Sequence, residues 1–372
     1  MKWVFWFSVL LIGYSYAGYP LWLYLRSCMR AFPVLREPIL PFVSIVIAVR
    51  NEAQALPGKL RNLQELDYPS DRCEIIVASD ASTDATNTLL AEWANDRLRP
   101  VLCAEQGGKA LALNQGTQAA RGEIVLFTDA RQMLESDSVR QLVARFADPA
   151  VGCVSGELML GEPGPADRHE GIGLYWKMEK RIREWEGAAG SVVGATGAIY
   201  AVRKKYIVPL PAGTILDDVY LPLQVVRQGG RVVFEPSARA WDNFTDTPAR
   251  EYRRKVRTLT GNYQLLQLAP WILTRENPVR FEFISHKLLR LFVPFALAGA
   301  LVSSLLLEHP FYRAVAVAQL ALYSLALFAL VRSAPGLIGR LGNLVFSFLM
   351  LNAAAVVALV TFVTGKKEVW VR

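Results

Sequence analysis

The sequence has little cysteine, little histidine, and no glycine at the turn where a dinucleotide would need it. Its 372 residues include four cysteines and three histidines. Cys28, Cys73, Cys103 and Cys153 form no C-x-x-C pair. Cys73 and Cys103 lie in or beside apolar strand-like runs and read as reduced core residues. His169, His286 and His309 are scattered, so a histidine-based metal site is not expected. The turn after the first strand-like run is Arg50-Asn51-Glu52-Ala53. Without glycine there, a nicotinamide or flavin enzyme is not expected. Gly107-Gly108-Lys109 lacks the earlier glycine and the following Ser or Thr of a P-loop. There is no internal repeat, no low-complexity linker and no signature of a nucleic-acid module, so nucleic acid is not an expected partner.

What the chain has in quantity is apolar surface and positive charge. Hydrophobic residues make up 52%, the formal net charge is +8, and mean hydropathy is +0.24. Basic runs at 250–257 and 177–183, with Arg26, Arg30 and Arg36 after the first apolar segment, suit anionic lipid head groups and phosphate-bearing ligands. Residues 3–25 are long and apolar enough to span a bilayer. A cleaved signal peptide is the competing reading, since Ser15-Tyr16-Ala17 resembles a cleavage site. The apolar run continues past it through Trp22 and Leu25. Arg26 and Arg30 then hold the next domain in the cytosol by the positive-inside rule. Three more candidate spans lie at 288–307, 314–331 and 344–363. Residues 271–287 mix Trp, Phe and Ile with Arg, Glu and Lys and read as a helix lying in the interface. The expected organisation is a transmembrane helix in 1–30, a cytosolic domain in 41–265, an interfacial segment in 266–287, transmembrane helices in 288–364 and a tail in 365–372. Helix counting puts that tail outside, whereas Lys366, Lys367 and Arg372 prefer the inside.

Between 41 and 155 strand-like and helix-like patterns alternate. Strands are expected at 43–49, 74–78, 100–103, 123–127 and 151–155, and helices at 55–65, 84–93, 109–120 and 137–146. The run at 43–49 is continuous and β-branched, the pattern of a strand buried on both faces. The βαβα order predicts an α/β fold with a mostly parallel sheet covered on both sides.

Short polar motifs sit just past these strands or at helix starts. They are VSIVIAVRNE at 43–52, SDASTD at 79–84, GGKALALN at 107–114, TDAR at 128–131, LDDVYLP at 216–222 and RRKVR at 253–257. An α/β sheet presents ligand-binding groups at such places. In this order and between apolar segments, the motifs resemble those of the inverting, membrane-embedded family 2 glycosyltransferases with a GT-A catalytic domain. That family includes bacterial cellulose, hyaluronan and poly-N-acetylglucosamine synthases.

The resemblance implies roles for particular residues. Asp80 would contact the nucleotide, with Glu52 a second candidate in the same pocket; a helix N-cap is the other reading of Asp80. Lys109, after two glycines at a helix start, would lie near the donor diphosphate, where backbone N–H groups and the helix end favour an anion. A solvated surface lysine is the alternative, and Asn114 reads as ordinary helix surface. Asp129 would bind Mg²⁺ or Mn²⁺ against the diphosphate. The family motif is Asp-x-Asp, whereas this chain has Asp129-Ala130-Arg131, so the second carboxylate is missing and Arg131 offers positive charge instead. Asp218 matches the base that takes the acceptor hydroxyl's proton, and Asp217 its supporting neighbour; an acidic pair at a helix N-terminus is the alternative. Arg254 and Arg257 stand where the family has Gln-x-x-Arg-Trp, with Thr258 in the tryptophan's place. A guanidinium fork suits a phosphate, and a basic helix on lipid is the competing reading. Gly194, Thr196 and Gly197, in GATGAIY at 194–200, would line the acceptor.

The expected function is transfer of a sugar from a nucleotide donor, a UDP-sugar first, to a glycan or lipid-linked hydroxyl with inversion. The resemblance implies a bacterial inner membrane, a cytosolic catalytic domain, and partner subunits of a polysaccharide export system. Chain elongation with export and a single transfer to a lipid-linked acceptor both remain open. A non-catalytic nucleotide-binding scaffold is the reading from another class.

Overall fold

The computed structural model describes residues 1–161, 174–242, 248–331 and 336–365. The tail at 366–372, whose side of the membrane the sequence leaves open, lies outside the described residues. The chain divides into two compact units. One comprises Arg26–Thr245 and Leu265–Arg280, the other Met1–Leu25, Asp246–Gln264 and Phe281–Arg372.

The first unit is built on a mixed sheet. Its strands are β1 Val43–Val49, β2 Cys73–Asp80, β3 Leu98–Cys103, β4 Ile124–Phe127, β5 Met133–Leu134, β6 Val151–Leu160, β7 Tyr200–Arg203 and β8 Arg231–Asp242. Among the described residues their order is β3-β2-β1-β4-β7-β6-β8-β5. The pairs β1–β2, β1–β4, β2–β3 and β6–β8 are parallel. The pairs β4–β7, β6–β7 and β5–β8 are antiparallel. Val43, Ile45, Val46 and Ile47 of β1 are fully buried, as a strand covered on both faces requires. Each such side chain contributes about 1.5–3 kcal/mol of apolar burial. Helix Leu56–Gln64 lays Leu56, Leu60 and Leu63 on this core.

Every strand and helix expected between residues 41 and 155 is present. The sequence did not announce β5, β7 or β8. β5 has two residues and β7 four, too short for an alternation signal. β8 carries Pro236 and Ser237 mid-run, which breaks its pattern. The β6–β8 ladder absorbs the interruption with the register shift between Ser155 and Glu157, opposite Phe234 and Arg239; a separate shift lies between Val151 and Cys153.

The topology fixes where ligand groups collect. Chain order runs β1 to β2 to β3 on one side of β1, while β4 lies on the other. The C-terminal ends of β1, β2 and β4 therefore open together beside a switch point, the place where open α/β sheets bind ligands. β7 runs antiparallel to β4 with Tyr200 opposite Phe127. The segment leading into β7 thus arrives at that same edge.

In the second unit, among the described residues, four helices are long and apolar enough to cross a membrane: Lys2–Met29, Arg280–Leu306, Pro310–Phe328 and Leu341–Thr364. The first contains a π-helical turn at Tyr14–Gly18 and the second one at Ile284–Leu288. The two turns meet, since the Tyr14 hydroxyl and Ser285 Oγ are 2.8 Å apart. Phe5 packs edge-on against Tyr312 at 4.9 Å. Gln319 Nε2 donates to the Leu297 carbonyl at 2.9 Å and so links neighbouring helices. Ser303 and Asn352 instead bond back to carbonyls of their own helices. The segment 271–287 is not the single helix its composition predicts. A 3₁₀ turn at Pro270–Leu273 is followed by a break, and the chain becomes helical again at Arg280, at the start of the Arg280–Leu306 span. The break falls at Asn277-Pro278: the proline disfavours helical backbone at Asn277, and the Asn277 amide bonds the Ile272 carbonyl and the Val279 N–H instead.

Candidate active site

Four loops converge at the open edge of the sheet. After β1 the chain turns through Asn51, whose φ is +53°. The Asn51 amide oxygen accepts the Thr83 N–H at 2.8 Å. The next backbone N–H groups are taken by Thr86 Oγ1, bonded to Glu52, and by Asp84, bonded to Ala53. The loops after β1 and β2 are thereby tied into one. Burial raises the Glu52 carboxyl above its usual range; Arg131 opposes this, and Asp129 and Asp84 add to it.

Asp80 ends β2, and the following Ala81 has a φ of +48°. An L-residue pays about 1–2 kcal/mol for that conformation. The buried carboxylate accepts the Gly107 N–H at 2.7 Å and the Gly108 N–H at 3.0 Å. Asp80 does not cap the helix that follows it, the alternative reading of this residue. It fixes the glycine pair before helix Lys109–Ala119 instead. Gly108, with φ +82°, makes the left-handed turn that starts this helix. Asn114, which reads as helix surface in the sequence, pins residue 210. Its side-chain amide donates to the Leu210 carbonyl and accepts the Leu210 N–H, both at 2.8 Å.

Lys109 joins the predicted donor and acceptor motifs. Its ammonium lies 2.9 Å from Asp129 Oδ1 and 3.1 Å from Asp217 Oδ1. Burial works to lower its pKa, but Asp129 and Asp217 more than offset this, and the net shift is upward. Asp217 is 3% exposed and also accepts the Tyr200 hydroxyl at 3.1 Å. Tyr200 is itself stacked on Phe127 at 4.9 Å. Burial, reinforced by Asp217, raises the Tyr200 hydroxyl well above its ordinary pKa, so Tyr200 stays a donor.

Asp218 faces differently from Asp217. It is half-buried, and its Oδ2 accepts the Gly197 N–H at 3.0 Å. A Cβ on Gly197 would stand 3.4 Å from Asp218 Oδ2 and 3.8 Å from Asp129 Oδ2. The two carboxylates therefore border one space that a side chain at 197 would fill. The main-chain carbonyl of Asp218 accepts the Ala195 N–H at 2.7 Å. Thr196 is buried, and its N–H donates to Ser155 Oγ at 3.1 Å, beside the register shift in β6. Gly194 passes close to helix Asp217–Arg227, where a Cβ would stand 3.1 Å from Val219 Cγ2.

The structure thus gathers Glu52, Lys109, Asp129, Asp217, Asp218 and the 194–197 loop, with Asp80 supporting the start of the Lys109 helix. Arg131 is exposed on the loop after β4. Arg254 and Arg257 belong to the other unit, on helix Pro248–Leu268. There Arg257 Nε is buried with no hydrogen-bond partner among the described residues. Three contributors escaped the sequence reading. Lys59 lies fully buried under the loop after β4 and donates to Thr128 Oγ1 at 3.0 Å and to the Gln132 carbonyl. Tyr200 holds Asp217, and Ser155 holds Thr196. Lys59 had a legible signal, since it occupies the helix face that also carries Leu56, Leu60 and Leu63.

No group of three or more His, Cys, Asp or Glu side chains that could hold a metal by themselves occurs among the described residues. Asp129 with Asp218 across the Gly197 gap nevertheless fits a cation that takes its other ligands from a diphosphate and water, as Mg²⁺ does.

Residues 44–208 match the family model described as Glycosyl transferase family 2. The chain is 26% identical over 271 residues to probable glycosyltransferase YdaM of Bacillus subtilis (strain 168), covering 68% of this chain and 64% of that protein. It is 25% identical over 252 residues to poly-beta-1,6-N-acetyl-D-glucosamine synthase of Staphylococcus aureus (strain COL), covering 65% of this chain and 60% of that protein. The matches thus span less than two thirds of the length of these curated relatives. Among solved structures the chain is similar to mannosyltransferase PcManGT from Pyrobaculum calidifontis, in complex with GDP-Man and Mn²⁺. The TM-score is 0.73 at 24% identity, over 97% of this chain and 99% of that one. The fold is that of the GT-A glycosyltransferases. Residues 44–208 thus match a glycosyltransferase family 2 domain, and the chain is similar to proteins of polysaccharide synthesis.

Proposed function

We propose that this chain transfers a sugar from a nucleotide-sugar donor to a hydroxyl of a glycan or lipid-linked acceptor, with inversion, at a membrane surface. The observation that carries this reading is Lys109, whose ammonium joins Asp129 to Asp217 next to Asp218. One cation thus couples the motif for the donor phosphates to the pair for acceptor activation. Asp218 takes the acceptor proton as the hydroxyl attacks the anomeric carbon. Its Oδ2 is oriented by the Gly197 N–H. Asp217 pairs with Lys109 and accepts the Tyr200 hydroxyl, and so keeps the ammonium in place. Lys109 offsets charge on the departing diphosphate, and Arg254 and Arg257 are proposed to add to this. Glu52 and Asp80 serve the nucleotide end, Asp80 through the loop it holds, and Gly194, Thr196 and Gly197 serve the acceptor end. A bound Mg²⁺ or Mn²⁺, held through Asp129, would add positive charge at the diphosphate; the Mn²⁺ in the similar mannosyltransferase structure supports a divalent metal.

The four apolar helices support a membrane location. Arg26 and Arg30 favour a cytosolic catalytic unit in an inner membrane. A reporter fused after Arg36 should read cytosolic and one near Glu308 external. The donor is tested by hydrolysis of a panel of nucleotide sugars, UDP- and GDP-linked alike. Mass analysis of the product then separates one added sugar from a ladder. A purified protein that binds nucleotide sugars yet neither hydrolyses nor transfers them would favour the non-catalytic scaffold.

A further inference from the structure

We propose that Lys59 is a positioning residue for the reaction, a buried clamp that sets Asp129 and, through Thr128, the loop that orients Asp218. The inference rests on the transferase reading above. Lys59 belongs to helix Leu56–Gln64 and is fully buried on its apolar face. An ammonium there loses its hydration, a cost that a methionine of similar length would avoid. No carboxylate stands in ion-pair range of Lys59 among the described residues. What Lys59 gains is two acceptors on one loop. Its Nζ donates to Thr128 Oγ1 at 3.0 Å and to the main-chain carbonyl of Gln132.

Those two acceptors bracket the segment that carries Asp129 and Arg131, so one side chain fixes both ends of it. The clamp extends further. The Thr128 hydroxyl, having accepted from Lys59, donates to the Ala198 carbonyl at 2.7 Å. Ala198 follows Gly197, whose N–H holds Asp218 Oδ2. At the far end the Gln132 amide donates to Asp242 Oδ2 at 2.9 Å, which ties the loop to the end of β8. The path from Lys59 to Asp129 on one side, and through Thr128 and Ala198 to Asp218 on the other, alternates hydrogen bonds with single peptide links between chain neighbours. Groups that hold a metal ligand or a base from behind set its aim rather than its chemistry.

The test uses the purified full chain and reads Mn²⁺ binding from loss of the free-ion paramagnetic resonance signal, with UDP or GDP present. Transfer is measured in parallel. Lys59→Met should fold with a melting temperature no lower than the wild type's near neutral pH while weakening Mn²⁺ binding and transfer by about 10- to 100-fold. Thr128→Val should move both readouts the same way, and Thr128→Ser, which restores the hydroxyl, should recover most of the loss. If Lys59→Met does not fold, the Thr128 pair carries the test. Wild-type Mn²⁺ binding in folded Lys59→Met, or equal loss in Thr128→Val and Thr128→Ser, overturns the proposal. Should the wild type bind no Mn²⁺, the same comparison is made in nucleoside diphosphate affinity by calorimetry. A wild type that transfers no sugar, with variants that still shift binding, removes the transferase reading and leaves the clamp standing.

Discussion

Pro222 has no N–H to offer the carbonyl of Asp218, four residues before it in helix Asp217–Arg227, and the Ala195 N–H takes that carbonyl at 2.7 Å. A proline inside a helix removes one bond of the ladder. Here the orphaned acceptor anchors the loop that carries Gly194, Thr196 and Gly197. The proline thus turns a defect of the helix into a link between the acidic pair and the acceptor loop.

Pro222→Ala should restore the competing helical donor and loosen this link. A single hydrogen bond is worth about 1 kcal/mol net, so the acceptor KM should rise roughly 5-fold while thermal stability holds or improves. Steady-state kinetics with varied acceptor, beside a melting curve, checks this. An unchanged KM would mean the loop is held by Thr196 and Gly197 alone.

Asp218→Asn should lower transfer by about 10²- to 10⁴-fold, the usual size of a general-base contribution, with donor binding retained. The amide can no longer take the acceptor proton. Near-normal turnover would remove Asp218 from the mechanism. Asp217 would be a poor substitute, because it is buried and already engaged by Lys109 and Tyr200.

Asp129 supplies the single carboxylate of its motif. Transfer should therefore stop in chelator and return with added Mg²⁺ or Mn²⁺, and Asp129→Ala should stay inactive even at saturating metal. Full activity in chelator would assign the diphosphate charge to Lys109 and the arginines instead. Assays in metal-free buffer with back-titration distinguish the two outcomes.

The parallel half of the sheet was legible because its strands are continuous apolar runs and its helices have clear starts. The polar motifs were legible because loops at one sheet edge carry chemistry in their residue types. What escaped had physical reasons. Tyr200 reads as one more aromatic until β7 is known to run antiparallel to β4, which places its hydroxyl on Asp217. Ser155 matters through a register shift that no local pattern announces. Asn277 and Pro278 break a segment whose composition alone reads as one helix. Lys59 had a signal, a cation on an apolar face, but its partners are a hydroxyl and a carbonyl some 70 residues on.

Burial pushes the Lys59 ammonium down to about 7 from an ordinary 10.5, with Asp129 opposing. The sign of the resulting pH dependence follows from proton counts. Between about pH 7 and 10.5 the unfolded chain keeps the Lys59 proton and the folded chain releases it, so unfolding takes up a proton. Stability from this group therefore rises with pH across that window, by at most about 1.4 kcal/mol per unit. Below about pH 7 both states are charged, and the folded state bears the full cost of desolvation. Lys59→Met carries no such proton. Its advantage in melting temperature over the wild type should be largest near pH 6 and should narrow steadily toward about pH 10. Thermal unfolding of both proteins over that range, at constant salt and detergent, checks this. Parallel pH profiles would mean that Lys59 keeps an ordinary pKa in the fold.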